Sequence, residues 1–298
     1  MDLRVSPSLV DGIERARRPT GPVLGLVVAV VCLLVGPLPV TLLLMPVFGV
    51  SFAELADADF GIGEQMVVML GFAGASGLLA LWVLVKERRG VGSLGFFPAV
   101  RIGRHLALGA LVAVLLLAVP IGANLLGGWY EIAPTPGFPL LAVVIALAGF
   151  AVQAGTEEVI TRGYLMQVAH RRWGLLAAIA FQAVVFALLH GVNFDVGALP
   201  LVNVLLVGLL LGCWALAEGS LWGVCAFHVV WNWCQGNIAG IQVSGMDLQA
   251  ALLSTEPAPG AANLLTGGGF GVEGSALTTA VLLIATAVAA LVLRARAQ

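Results

Sequence analysis

Charge is what this 298-residue chain lacks. Asp, Glu, Lys and Arg make up 10% of it, while 60% is hydrophobic and the mean hydropathy is +1.04. An average soluble domain carries roughly 25% charged residues. So little charge cannot clothe a water-facing surface, so lipid is the expected solvent. Basic patches interleaved with aromatics are missing as well, and no nucleic-acid partner is expected. The net charge of −2 points to no other partner. Cysteine is scarce: Cys32, Cys213, Cys225 and Cys234 all fall in apolar segments, and none form a Cys-x-x-Cys pair. They read as small buried hydrophobes rather than disulfides or metal ligands.

What is there instead is a series of long apolar runs. A membrane span needs about 20 mostly apolar residues. Candidates lie at 23–48, 66–85, 106–126, 139 to about 153 and beyond, 175–189, 199–216, 221–241 and 277–293. The run after the polar residues 1–22 is too long for a cleavable signal peptide and is read as a retained first span. With the N-terminus inside, eight spans put all 14 Lys and Arg residues on one side. Glu54, Asp57, Asp59, Glu131, Asp195, Asp247, Glu256 and Glu273 then fall on the other, with no basic residue among them. Cytoplasmic loops are the ones enriched in Lys and Arg. The expected fold is therefore all-α, a polytopic membrane bundle of about eight transmembrane helices with both termini cytoplasmic. It divides into a tail (1–22), the first three spans (23–135), a core of spans four to seven (136–240), an extracytoplasmic Gly-rich loop (241–275) and the last span with its tail (276–298). Gly208 and Gly212, and the set Gly71, Gly74 and Gly77, are expected at helix contacts.

Ionisable groups at membrane depth cost roughly 2.5–3.5 kcal/mol each on insertion scales, so they should be few and partnered. Three groups stand out. Glu158 and Arg162 are four apart on a helix and neutralise each other, while Glu157 projects about 100° away without a local partner. Gln182, Phe186 and His190 share one helix face, and so do His228 and Asn232. Glu157 lies 16 residues before Trp173 and His190 lies 16 residues after Gly174. A hairpin turning there sets both about 24 Å above the turn. His105 and His170 sit beside basic residues and are read as interfacial.

Taken in order, Glu157-Glu158-x-x-x-Arg162, Phe186-x-x-x-His190 and His228-x-x-x-Asn232 resemble the three motifs of the CAAX-processing and bacteriocin-processing intramembrane endopeptidases, the relatives of the type II CAAX prenyl endopeptidase. The resemblance runs from about residue 139 to 240. It implies a helical membrane fold with a cavity open to the cytosol, and hydrolysis of a peptide bond by activated water. It implies Glu157 as general base, His190 holding the water, His228 and Asn232 stabilising the oxyanion, and Glu158 with Arg162 as structural support. The implied partners are the lipid bilayer and a membrane-associated peptide or protein, prenylated or not. Glu157, His190 and His228 are also a set able to ligate Zn²⁺ with water as fourth ligand. The lack of a local His-Glu-x-x-His motif favours a metal-free reaction without cofactor. Much Ala, Val, Leu and Gly with few Lys suggests a bacterial chain in the plasma membrane.

Two other readings fit buried carboxylates and histidines. An ion- or proton-coupled transporter uses them as a pathway, but would be expected to show two matching halves, and no repeat is evident. A non-catalytic immunity or scaffold protein on the same fold has no need to bury them.

Overall fold

The computed structural model describes residues 9–97 and 101–296; Arg4 of the N-terminal tail lies outside them. Uninterrupted apolar sequence makes helices and the breaks fall at Gly and Pro. Helix α1 (Pro22–Val35) begins with proline, where the missing N–H costs nothing, and α2 (Pro37–Phe48) continues beyond Gly36. Helix α3 (Ile62–Trp82) ends in a π turn, Val83–Glu87. Then come α4 (Ile102–Leu126), α5 (Leu140–Glu158), a π turn at Val159–Leu165, and α6 (Met166–Trp173). Gly174, at φ +81°, reverses the chain into α7 (Leu175–Leu189). Helix α8 (Ala198–Glu218), α9 (Trp222–Trp233) with a π turn at Cys234–Ile238, the short α10 (Asn263–Thr266) and α11 (Ala276–Arg296) complete the chain.

Seven helical stretches among the described residues are long and apolar enough to cross a bilayer, and the chain is an integral membrane protein. The expected span at 221–241 is shorter than the rest, as α9 and its π turn occupy only 222–238. It packs on both α4 and α5 and buries His228, Asn232, Gln235 and Asn237. A helix set among its neighbours need not match the hydrocarbon thickness. Leu140–Trp173 is the opposite case: 34 residues reach about 50 Å, well beyond the roughly 30 Å of hydrocarbon.

Small residues set the closest helix contacts, as bilayer packing favours. A Cβ on Gly208 would lie 2.8 Å from Ala183 Cα, and one on Gly212 would lie 2.6 Å from Gln182 Nε2, so α8 presses on α7 at both. Gly71 and Gly74 bring α3 against α2 and Gly36, but Gly77 faces open space, contrary to expectation. Helical periodicity places Gly77 off the face that Gly71 and Gly74 share.

The two ends of the bundle differ. At one end lie the basic loops, with Leu9, Val10 and Ile13 buried beneath them. There Gln167 donates to the carbonyls of Leu9 and Ser93, and Leu221 N to that of Gly95. At the other end, β1 (Asp59–Phe60) pairs in parallel with β3 (Asp247–Leu248), and β2 (Tyr130–Pro134) pairs antiparallel with β4 (Leu253–Pro257). These small sheets order a segment that the sequence predicts to be irregular. Its Gly and Pro residues supply turns between short paired strands.

Candidate active site

Helix α5 delivers two adjacent carboxylates with different surroundings. Glu158 is fully buried, and its Oε1 accepts from Arg162 Nη1 at 2.9 Å. Arg162, fully buried as well, also donates to Thr161 Oγ1 at 2.8 Å and lies over the Phe186 ring, 4.2 Å from its centre. A desolvated guanidinium on an aromatic face is worth about 2 kcal/mol. Glu157 instead accepts at Oε1 from Gln153 Nε2, one helical turn back, while its Oε2 has no hydrogen bond among the described residues. The π turn starts immediately after this pair. Such turns are frequent at functional sites, because one extra residue re-aims the side chains that follow.

The histidines are held through the same ring nitrogen. His190 Nδ1 pairs with the Phe186 carbonyl at 2.9 Å, and His228 Nδ1 pairs with Glu158 Oε1 at 2.9 Å. Carbonyl and carboxylate oxygens only accept, so Nδ1 carries the proton in each, and Nε2 remains free for other work. His228 Nε2 lies 3.9 Å from Glu157 Oε2, within electrostatic reach but beyond a hydrogen bond. The Phe186 ring packs against Arg162, His190 and, edge-on, His228. Asn232, one turn after His228, is 7% exposed. Its carboxamide makes no hydrogen bond with the described residues.

These residues share one cavity of about 370 Å³, lined by Glu157, His190, His228 and Asn232 together. Glu158 and Arg162 stand behind that wall. The sequence reading treats them as a self-contained pair, whereas Glu158 also fixes His228. Sequence reasoning missed four more residues that line or brace the cavity: Gln153, Asn203, Ser244 and Glu273. Gln153 carried a signal, since it lies four residues before Glu157 on one helix face. Ser244 and Glu273 carried none, being polar residues in a Gly-rich segment. Glu273 accepts from Ser244 N and Oγ, and burial pushes its carboxyl above the usual range.

The cavity reaches from the middle of the bundle toward the end formed by residues 242–275, as Val243, Ser244, Met246 and Glu273 line it. The sequence expects a site opening at the basic, cytoplasmic end, whereas residues of the folded segment at the other end form part of the cavity wall. Glu157, His190 and His228, the set able to ligate Zn²⁺, line the cavity together. Among the described residues no group of three or more His, Cys, Asp or Glu side chains is placed to hold a metal ion. His228 and His190 use Nδ1 on Glu158 and the Phe186 carbonyl, which orients each ring and leaves its Nε2 free.

No curated protein and no solved structure matches the chain. Residues 139–234, about a third of the chain and all three motifs with it, match the family model of the type II CAAX prenyl endopeptidases described as Rce1-like.

Proposed function

We infer that the protein is an intramembrane endopeptidase that hydrolyses a peptide bond of a membrane-associated protein or peptide. One observation carries the reading. Glu157, His190, His228 and Asn232, drawn from three separate stretches of sequence, line a single cavity.

The geometry supports a definite division of labour. Glu157, steadied at Oε1 by Gln153, takes a proton from water through its free Oε2. His190 Nε2 orients that water by accepting its second hydrogen. The resulting hydroxide adds to the carbonyl carbon. The oxyanion receives the Asn232 N–H and, when His228 is the imidazolium, its Nε2–H. His228 can donate there only in that form, since a neutral ring already spends its one N–H on Glu158. Glu157 returns the proton to the amide nitrogen, the C–N bond breaks, and an acid and an amine leave. Fixed donors aimed at developing charge commonly supply about 2.7–4 kcal/mol each. No step here requires a metal.

The test is terminal-peptide mass spectrometry on membranes from cells holding the wild type or Glu157→Ala at equal abundance. New peptide ends found only with the wild type are expected, and they name the substrate. Identical profiles from two folded proteins would move transport or scaffolding ahead.

A further inference from the structure

Glu273 takes no part in that hydrolysis, yet it is held with care. Ser244 N and Oγ donate to its Oε1 at 2.5 and 2.6 Å. Ser244 and Gly245, at φ +50° and +88°, form the centre of a tight turn in which Val243 and Met246 exchange backbone hydrogen bonds at 2.9 Å. A left-handed backbone costs a non-glycine residue about 1–2 kcal/mol, so the serine is kept there against its own preference. On the other side, Asn203 Nδ2 donates to the carbonyls of Glu273 and Ser275 at 2.8 and 2.9 Å. The turn and α8 therefore fix both the side chain and the backbone of Glu273. Its Oε2 makes no hydrogen bond with the described residues.

The permanent charge around it is one-sided, with His190 and His228 the titratable groups that face it. Glu157 and Glu273 both line the cavity, and no Lys or Arg among the described residues does. Arg162 is committed behind the wall to Glu158. Asn232, 7% exposed, turns its carboxamide into the same space, where the oxyanion uses it, so Glu273 is the lining group left over. The remaining lining is largely apolar, with Val68, Phe72, Val204 and Leu282 among it. A wholly apolar occupant would leave the Glu273 carboxyl to take up a proton or to lean on the two imidazoles. A cation would compensate it.

We propose that Glu273, anchored by Ser244, is the recognition site for a positively charged group of the substrate, either a Lys or Arg side chain or a free α-amino group. That the cation belongs to a peptide rests on the endopeptidase reading. Binding at this carboxylate is separate from the chemistry at Glu157, so the two can fail separately.

The experiment is equilibrium binding to the full chain in nanodiscs of neutral phosphatidylcholine, where no anionic lipid competes. Three hexapeptides of Leu and Ala serve as probes. One is acetylated and amidated with a central Lys, the second has norleucine at that place, and the third is the norleucine peptide with a free amino terminus. At least one cationic peptide is expected to bind about tenfold more tightly than the neutral one, and which one identifies the recognised group. Glu273→Gln should abolish that preference by weakening the cationic peptide alone. Equal affinities for all three, no binding of either cationic peptide, or a preference that survives Glu273→Gln overturns the proposal. Should Glu273→Gln fail to fold, Ser244→Ala decides, since it keeps the carboxylate but loosens it. An undiminished preference in that variant counts against the site. Charge preference without cleavage would sink the endopeptidase reading and leave this site standing; cleavage without charge preference would do the reverse.

Discussion

Neighbouring residues on a helix project about 100° apart, and that angle gives Glu157 and Glu158 different work. Glu158 faces Arg162 and His228 in full burial, while Glu157 faces the cavity. Glu157→Gln keeps the shape and the Gln153 neighbour but loses the base. It should lower kcat by about 10²–10⁴, with the melting temperature of the purified protein unchanged. Glu158→Ala should behave otherwise. It strips a buried guanidinium of its counter-charge and His228 of its anchor, at about 3–5 kcal/mol, so thermal melts should show the loss along with activity. Asn232→Ala should reduce kcat by about 10²–10³ and leave KM nearly unaltered, as an oxyanion donor acts after binding. The motif residues were legible in the sequence because a chain poor in charge gives each buried charge weight. The link from Glu158 to His228 was not legible, because it joins residues 70 apart through the mutual placement of α5 and α9.

At the scale of elements, the hairpin of α5–α6 and α7 was legible from residue counts on either side of Gly174. The π turn at Val159–Leu165 was not, as no sequence pattern distinguishes it from ordinary helix. The contact of α7 with α8 rests on Gly208, where an added Cβ would meet Ala183 Cα at 2.8 Å and its Cβ at 2.9 Å. Helix backbone yields little at such distances, so Gly208→Ala must push the helices apart. A cost of about 1–3 kcal/mol is expected from overpacking. Activity should fall with it, because α7 carries Phe186 and His190 into the cavity wall. Gly77→Ala is the control, since nothing lies within 4 Å of its added Cβ. That variant should hold or slightly raise the melting temperature, by the helix preference of alanine over glycine, about 1 kcal/mol. Equal damage from both substitutions would mean that helix contact at Gly208 is not what matters.

For the whole molecule, the sorting of charge and the position of the cavity make a joint statement. The sequence gathers the Lys and Arg of the loops at one end, with Arg162 the buried exception, and the cavity reaches toward the other end, where residues 242–275 are ordered by strands from distant segments. That ordering was invisible in the sequence: β2 pairs with β4 across more than a hundred residues, and two-residue strands such as β1 and β3 carry no periodicity to read. If basic loops mark the cytoplasmic face, the cavity reaches away from the cytoplasm and its substrate meets it from the far leaflet. Sided labelling tests this. In a variant with the four native cysteines replaced by alanine, Ser254→Cys reports on the sheet end and Arg172→Cys on the basic end; both native residues are exposed. A membrane-impermeant maleimide on intact cells should label Ser254→Cys at once and Arg172→Cys only after permeabilisation. The opposite pattern would invert the bundle, set its basic loops against the charge rule, and turn the cavity toward the cytoplasm, where a lipid-anchored cytosolic substrate would reach it.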